Sequence, residues 1–143
     1  MPTITYKLDC TNVNWAAMKQ TLSEDNFDNG RTPEQLKVSF ENSAVACIAY
    51  ADGRIIGTVR ALSDGVCNAY IVDVWTLSRF RRQGIARTML EKVMAQLPGQ
   101  HVYLFTDDAL DFYKKVGFTP QGIGLGKVVG RWLVNENEKT DDQ

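Results

Sequence analysis

The chain has little of what metal centres, disulfide scaffolds and membrane proteins require. Its 143 residues include only Cys10, Cys47 and Cys67 and a single histidine, with no CxxC pair. No zinc site or disulfide framework can be recognised, and no metal is expected. The longest apolar run, residues 44–51, is far shorter than the roughly 20 residues that span a bilayer. No apolar leader opens the chain, so we expect a cytoplasmic protein without a membrane partner.

The chain also lacks an excess of charge of either sign. Sixteen basic residues against seventeen acidic ones give a formal net charge of −1. Bulk attraction to a polyanion is therefore excluded, and no nucleic-acid partner is expected. Hydrophobic residues make up 44% and charged residues 23%, as in ordinary globular proteins. We predict a single domain over residues 1–134 and a polar C-terminal tail over 135–143.

Apolar periodicity in the first half predicts two helices followed by three strands. Apolar residues recur at helical spacing over about 12–23. A second helix begins with Thr32 as N-cap and Pro33 at its first position. The predicted strands are 44–51, 54–62 and 68–77, with Asp52-Gly53 as a hairpin turn between the first two. The pattern also allows a strand at 3–8.

The second half predicts a β-α-β-α-β order. Its elements are a helix over 84–97, a strand over 101–106, a helix capped by Asp108 and closed by Gly117, and a last strand over 128–134, with another allowed at 118–121. Hairpin-linked strands followed by this order predict an α/β (α+β) fold. Its central sheet is mixed and mostly antiparallel, with helices on both faces.

An arginine-rich segment lies where the third strand leads into the helix that starts near Gly84. Four arginines occur between Arg79 and Arg87. A helix N-terminus adds unpaired N–H groups and the positive end of the helix dipole, which together favour a bound phosphate. Gly84 has no Cβ, so a phosphate can approach the backbone closely. A solvated basic helix start is the alternative reading.

The stretch from Val72 to Gly117 resembles the GNAT superfamily of acetyl-CoA-dependent N-acetyltransferases. Residues 81–86 (RRQGIA) match the family's pyrophosphate signature and follow a strand that carries residues 73–76 (DVWT). Residues 112–118 (FYKKVGF) match its closing pattern. The chain is further similar to cyanobacterial and plastid members that include serotonin N-acetyltransferases.

The resemblance implies a GNAT-like fold and acetyl-CoA as cosubstrate. Backbone groups of Val74 and Thr76 would pair with the pantetheine arm, and a backbone N–H near Val74 or Trp75 would polarise the thioester carbonyl. Thr106 stands where the family often has an asparagine that contacts the cofactor. The implied cofactor-binding residues are Val74, Trp75, Thr76, Arg81, Arg82, Gln83, Gly84, Ile85, Ala86, Arg87, Thr106 and Tyr113.

The resemblance also implies two catalytic residues. Tyr113 occupies the family's position for the acid that protonates the departing thiolate, although its apolar stripe is equally typical of packing. Asp73, a carboxylate inside an apolar strand, is the candidate base, or else an anchor for the amine. The acceptor side would include Phe27, Asp28, Asp73 and Trp132. The acidic residues Glu24, Asp25 and Asp28 could attract an amine, or they could simply form a solvated loop.

The leading hypothesis is therefore an N-acetyltransferase that moves the acetyl group of acetyl-CoA to a primary amine, as in an arylalkylamine, another small amine or a peptide. The alternative is a non-catalytic CoA-binding sensor or interaction module. Tyr113 and Asp73 favour the enzyme, because a binding module needs neither. The chain is expected to act as a monomer or a homodimer.

Overall fold

The computed structural model of the chain describes residues 2–133. The chain divides into two compact units, Met1–Leu104 and Phe105–Gln143. The predicted single domain over 1–134 stays a prediction. In chain order the elements are β1 (Ile4–Lys7), α1 (Trp15–Glu24), α2 (Pro33–Glu41), β2 (Val45–Ala51), β3 (Arg54–Ser63), β4 (Asn68–Thr76), a short 3₁₀ turn (Ser78–Phe80), α3 (Ile85–Met94), β5 (His101–Tyr103) and α4 (Leu110–Val116).

The five strands of the first unit form one sheet in the order β1-β2-β3-β4-β5. The first three pairings are antiparallel and the β4–β5 pairing is parallel. Asp52 and Gly53 adopt left-handed conformations, with φ of 50° and 85°, as a tight hairpin turn requires. The prediction of a mixed, mostly antiparallel sheet is confirmed, and so is the additional strand within residues 3–8.

Helices cover both faces of this sheet. Residues 55–59 of β3 are all buried, which requires cover on both sides, because consecutive strand residues point to opposite faces. Gly57 faces α3: a Cβ there would lie 2.9 Å from Met89 Cε. The cross-strand pair Thr58 and Trp75 faces the other way, where the Trp75 indole donates a hydrogen bond to Asp25 at the end of α1.

Strand β4 departs from both of its neighbours midway along its length. Its pairing with β5 covers only residues 68–70. Its pairing with β3 shifts register at a bulge, since Arg60 pairs with Val72 but Thr58 pairs with Trp75. Two residues of β4, Asp73 and Val74, therefore stand opposite Val59 alone.

The two strands predicted after α4 do not form. Residues 128–133 lie outside any strand, and Val134 lies outside the described residues. Gly130 and Leu133 have φ of 69° and 62°, which an extended strand cannot accommodate. No strand forms at 118–121 either, because the Phe118 N–H closes the end of α4 on the Tyr113 carbonyl.

Helix ends follow the predicted signals in part. The capping box of Thr32 and Gln35 is present, with Pro33 at the first helical position. Asp108 does not cap α4: the N-cap residue is Ala109, whose N–H donates to the Thr106 hydroxyl. Gly117 closes α4 in the left-handed conformation, as predicted. No helix between residues 2 and 133 is long and apolar enough to cross a membrane.

Candidate cofactor and active site

The outer edge of β4 is open over its second half. Beyond Tyr70, no strand among residues 2–133 pairs with the edge of β4 that faces away from β3. Residues 71–76 thus present backbone N–H and C=O groups along one side. An extended ligand with amide groups can add to such an edge like a further strand.

The start of α3 follows this edge in the chain and is built to leave backbone N–H groups open. Arg82 and Gly84 adopt left-handed conformations, with φ of 63° and 80°. The first helical hydrogen bond runs from the Thr88 N–H to the Gly84 carbonyl, so the N–H groups of residues 85–87 precede the hydrogen-bond ladder. A Cβ at Gly84 would meet no atom within 4 Å, so the approach to this backbone is clear.

The arginines of this segment have different surroundings. The Arg81 guanidinium donates to the Thr76 carbonyl at 3.0 Å and pairs with Asp25 at 3.5 Å, which links the end of β4 to the turn before α3. Arg87 pairs with Glu91 along the exposed side of α3. Arg82 is exposed and has no ion-pair partner within residues 2–133. Its charge is therefore available to an anion at the helix start.

The side-chain hydroxyl of Thr76 is a feature that is relevant to cofactor binding. Its side chain lies on the α3 face of β4, because it pairs with Gly57. Thr76 is 8% exposed, and its hydroxyl has no hydrogen-bond partner in the described part of the chain. A buried hydroxyl without a partner is costly, so a ligand atom that bonds it would be favoured. The open edge, the open helix start and this hydroxyl all fit the pantetheine and pyrophosphate groups of acetyl-CoA.

Asp25 links these parts of the site, although the sequence indicated only an acidic stretch around it. Its carboxylate accepts hydrogen bonds from the Trp75 indole at 2.9 Å, the Ser78 hydroxyl at 2.6 Å and the Ser78 N–H at 3.2 Å. Burial raises the pKa of Asp25, but hydrogen bonds from Ser78 and Trp75 and the charge of Arg81 outweigh it and lower the pKa. Asp25 and Trp75 are 50 residues apart, so no local pattern in the sequence indicates that they are in contact.

Asp73 lies at the bulge of β4 between two arginines, one buried and one partly buried, that the sequence did not point out. Its Oδ1 accepts from Arg31 Nη2 at 2.9 Å and its Oδ2 accepts from Arg60 Nε at 2.5 Å. The three side chains are between 8% and 15% exposed. Both oxygens of the Asp73 carboxylate therefore already pair with arginine side chains. The predicted roles of Asp73, as base or as amine anchor, would each require the carboxylate to serve while it is held in this way.

Tyr113 and Thr106 belong to the second unit. Tyr113 is buried on α4, with edge-to-face ring contacts to Phe112 and Phe118. Burial, and secondarily the negative charge of Asp108, raise the pKa of the Tyr113 phenol above its ordinary value of about 10. The hydroxyl therefore stays protonated at neutral pH. The Thr106 hydroxyl accepts the Ala109 N–H at 3.0 Å, so it takes part in starting α4.

The predicted acceptor residues have differing surroundings. Phe27 and Trp132 are 41% and 58% exposed. Both oxygens of the Asp28 carboxylate accept hydrogen bonds from the Lys19 ammonium, at 2.7 and 2.8 Å. The carboxylate also accepts a hydrogen bond from the Gly30 N–H at 3.0 Å. These hydrogen bonds lower the pKa of the Asp28 carboxyl, and the bond from Lys19 has the largest effect. Among residues 2–133 no group of three or more His, Cys, Asp or Glu side chains could hold a metal ion.

Comparison with known proteins adds to this geometry. The family model described as "Acetyltransferase (GNAT) family" matches residues 11–118. "Uncharacterized N-acetyltransferase ycf52" of Gracilaria tenuistipitata var. liui is 32% identical over 103 residues, or 65% of this chain and 57% of that protein. "Serotonin N-acetyltransferase 2, chloroplastic" of Oryza sativa subsp. japonica is 27% identical over 116 residues, or 76% of this chain and 58% of that one. The chain thus spans less than two thirds of each relative.

A solved structure agrees with the fold. The structure of a GNAT-family acetyltransferase from Streptococcus pneumoniae superposes with a TM-score of 0.73 at 21% identity, covering 92% of this chain and 100% of that one. At this identity the likeness shows the fold alone. The predicted resemblance and the predicted fold class are confirmed.

The role of Asp25 as a partly buried anchor can be tested by its amide isostere. We expect Asp25→Asn to lower the free energy of unfolding at pH 7 by roughly 1–3 kcal/mol, since it removes a charged acceptor from several hydrogen bonds. The folded-state pKa of Asp25 is lowered, so its contribution is present above the unfolded pKa of about 3.9 and is lost as the pH falls through the folded value. The difference between the two proteins should therefore shrink at acid pH, as measured by urea unfolding with tryptophan fluorescence.

Glu24→Gln is the matched control for this prediction. Glu24 is the preceding residue, but its side chain is 58% exposed and lies 3.8 Å from Arg54. An exposed pair of this kind contributes less than about 1 kcal/mol. Equal losses in both variants, or no loss in Asp25→Asn, would contradict the assigned role.

Proposed function

The chain belongs to the acetyltransferase (GNAT) family, and we propose that it moves an acetyl group from acetyl-CoA to a primary amine. The observation that carries this proposal is the open edge of β4 over residues 71–76, which leads directly into the open N-terminus of α3. One stretch of chain thus offers amide groups for an extended arm and N–H groups for a pyrophosphate.

The residues that would hold acetyl-CoA are those of this stretch. Backbone groups of Val74 and Thr76 would pair with the amides of its pantetheine arm, and the N–H groups of residues 82–87 would bind its pyrophosphate. The exposed Arg82 would add charge, and the buried Thr76 hydroxyl would gain a partner. When bound, the cosubstrate supplies an acetyl thioester. A backbone N–H at Val74 or Trp75 would stabilise negative charge on the thioester oxygen as an oxyanion donor does.

Tyr113 is proposed as the general acid. The departing thiolate needs a proton, and the acid must be protonated at neutral pH to supply it. The raised pKa of Tyr113 keeps its hydroxyl in that state. A tyrosine that served only in packing would have no need of the hydroxyl, so removing that one atom separates the two roles.

The acceptor is proposed to be a primary amine, as in an arylalkylamine, another small amine or a peptide. The name of the rice relative supports an amine acceptor for that protein and motivates serotonin as one trial substrate here. Phe27, Asp28 and Trp132 remain the proposed acceptor residues. Asp28 would have to serve while bound to Lys19, which makes it a neutral pair towards a cationic amine.

Gly84 offers a sharp test of the cofactor site. We expect Gly84→Ala to weaken acetyl-CoA binding at least tenfold, because a Cβ at the helix start would obstruct the close approach of a phosphate. The added Cβ would meet no atom within 4 Å in the free protein, so a steric clash would arise only with the bound ligand. Binding is measured by calorimetry and by the rise in melting temperature on adding acetyl-CoA.

Gly53→Ala is its matched control, since Gly53 has φ of 85° against 80° for Gly84 and equal space around it. Both variants should lose a similar amount of stability through backbone strain. Only Gly84→Ala should lose binding. An unchanged affinity in Gly84→Ala would remove the pyrophosphate from this turn.

Tyr113→Phe tests the role of Tyr113 as general acid against a role in packing alone. We expect the turnover rate to fall by roughly 10²–10⁴-fold with little change in acetyl-CoA affinity, because the ring and its packing are kept. Because the pKa of Tyr113 is raised, deprotonation of its hydroxyl should lower the wild-type rate only at a pH above about 10. The measurement is the initial rate of CoA release as a function of pH.

Tyr50→Phe serves as control, because Tyr50 is another phenol whose pKa is raised by burial. It should leave the rate unchanged. Full activity of Tyr113→Phe would place Tyr113 in the packing alone and favour a different acid.

A further inference from the structure

We propose that Arg31 and Arg60 are positioning residues that act through Asp73, and that Asp73 is the anchor of the β4 bulge and does not serve as the base. The three side chains hold residues 73–76 in the conformation that leaves their outer edge open to acetyl-CoA. The inference rests on the proposed function, because it assigns these residues a part in the same site.

The contacts fix the Asp73 carboxylate on both oxygens. Arg31 Nη2 lies 2.9 Å from Oδ1, and Arg60 Nε lies 2.5 Å from Oδ2. Each arginine is itself held elsewhere. Arg31 Nε donates to Asn29 Oδ1 at 3.0 Å, and Arg60 Nη1 donates to Ser43 Oγ at 3.4 Å. The carboxylate therefore ties β4 to the α1–α2 loop and to the segment after α2.

The backbone at this point is strained, which explains the need for such an anchor. Asp73 has φ of 54°, a left-handed conformation that non-glycine residues rarely adopt inside a strand. Its carbonyl accepts a hydrogen bond of 2.7 Å from the Thr58 hydroxyl, and Thr58 is 1% exposed. A strained conformation persists only where the surroundings over-determine it. Here the backbone carbonyl and both side-chain oxygens are held at once.

The same contacts argue against proton abstraction by Asp73. A general base must offer a lone pair to the amine it deprotonates, within hydrogen-bond reach. Both oxygens of Asp73 already accept from guanidinium groups. An ammonium anchor would have to bring a third cation to the same carboxylate.

The bulge has a direct consequence for the site. Because Asp73 and Val74 stand opposite one residue of β3, the direction of the backbone groups that follow them depends on the bulge. Those groups belong to Val74, Trp75 and Thr76, the residues proposed to meet the thioester arm. A displacement of about 1 Å in such groups can cost on the order of 10²-fold in rate.

The test compares Asp73→Asn, Arg60→Lys and the double variant with Arg54→Lys. Arg54 is an arginine at the start of the same strand β3, and its ion pair with Glu24 is 3.8 Å long and exposed. The first readout is hydrogen exchange of residues 71–77 in the free protein, which does not depend on activity. The second is the pH profile of kcat together with the acetyl-CoA Kd.

We expect Asp73→Asn and Arg60→Lys each to speed exchange in residues 71–77 and to lower kcat roughly 10²-fold, with a smaller change in Kd. The profile of rate against pH should keep its wild-type shape in both. The double variant should lose no more than the worse single variant, because both changes release one anchor. Arg54→Lys should match the wild type throughout. If Asp73→Asn does not fold, Arg31→Lys and Arg60→Lys, which retain the charge, decide the question alone.

Two results would overturn the inference. One is an Asp73→Asn rate that recovers towards the wild type at high pH while Arg60→Lys stays fully active, as a true base would require. The other is unchanged exchange in residues 71–77 in every variant. A wild-type protein that neither binds acetyl-CoA nor releases CoA would contradict the proposed function alone, and the exchange data would still decide whether the three residues hold the bulge.

Discussion

Within a few residues, strand β4 stops pairing with β5 and is separated locally from β3 by a bulge. The candidate site depends on the open strand edge that results. Backbone N–H and C=O groups must be satisfied by protein, water or ligand, and an open strand edge offers a row of them to any extended partner. β5 accompanies β4 only over residues 68–70, and the bulge at Asp73 separates it locally from β3. The sheet is thus regular where it supports the fold and irregular where the cosubstrate is proposed to lie.

Two carboxylates maintain this irregular region, and both connect it to the N-terminal helices. Asp25, at the end of α1, holds the Trp75 indole and Ser78, and so fixes the exit of β4. Asp73 is held by Arg31 from the α1–α2 loop and by Arg60 from β3. Removing one partner of a buried ion pair typically costs about 3–5 kcal/mol, so such a cluster resists deformation. The first two helices therefore support the site through β4.

Local signals in the sequence predicted what depends on local physics. The Thr32-Pro33 start of α2, the Asp52-Gly53 turn and the glycine-led start of α3 are each determined by neighbouring residues, and all three form. The strand predicted at 128–134 failed over its described residues because composition alone supported it. A β-prone segment forms a strand only with a partner and with extended backbone, and Gly130 adopts neither the conformation nor the pairing.

The supporting shell of the site was out of reach of the sequence for a different reason. Arg31 and Asp73 are 42 residues apart, and Asp25 and Trp75 are 50 apart. No periodicity or motif marks such pairs, since only the folded sheet brings them together. A single carboxylate in an apolar strand did mark Asp73 as unusual, because an unpaired buried charge is costly. The partners of Asp73 could not be predicted in the same way, because they lie far from it in the sequence.

The proposed function requires acetyl-CoA to lie along the edge of β4 and over the start of α3. The direct measurement is the backbone ¹H–¹⁵N spectrum of the protein titrated with acetyl-CoA. We predict that the largest shifts within residues 2–104 fall in Val74–Thr76 and Gly84–Arg87, with β1 unaffected. Shifts concentrated on β1 and β2, at the opposite edge of the sheet, with those two segments unchanged, would contradict it.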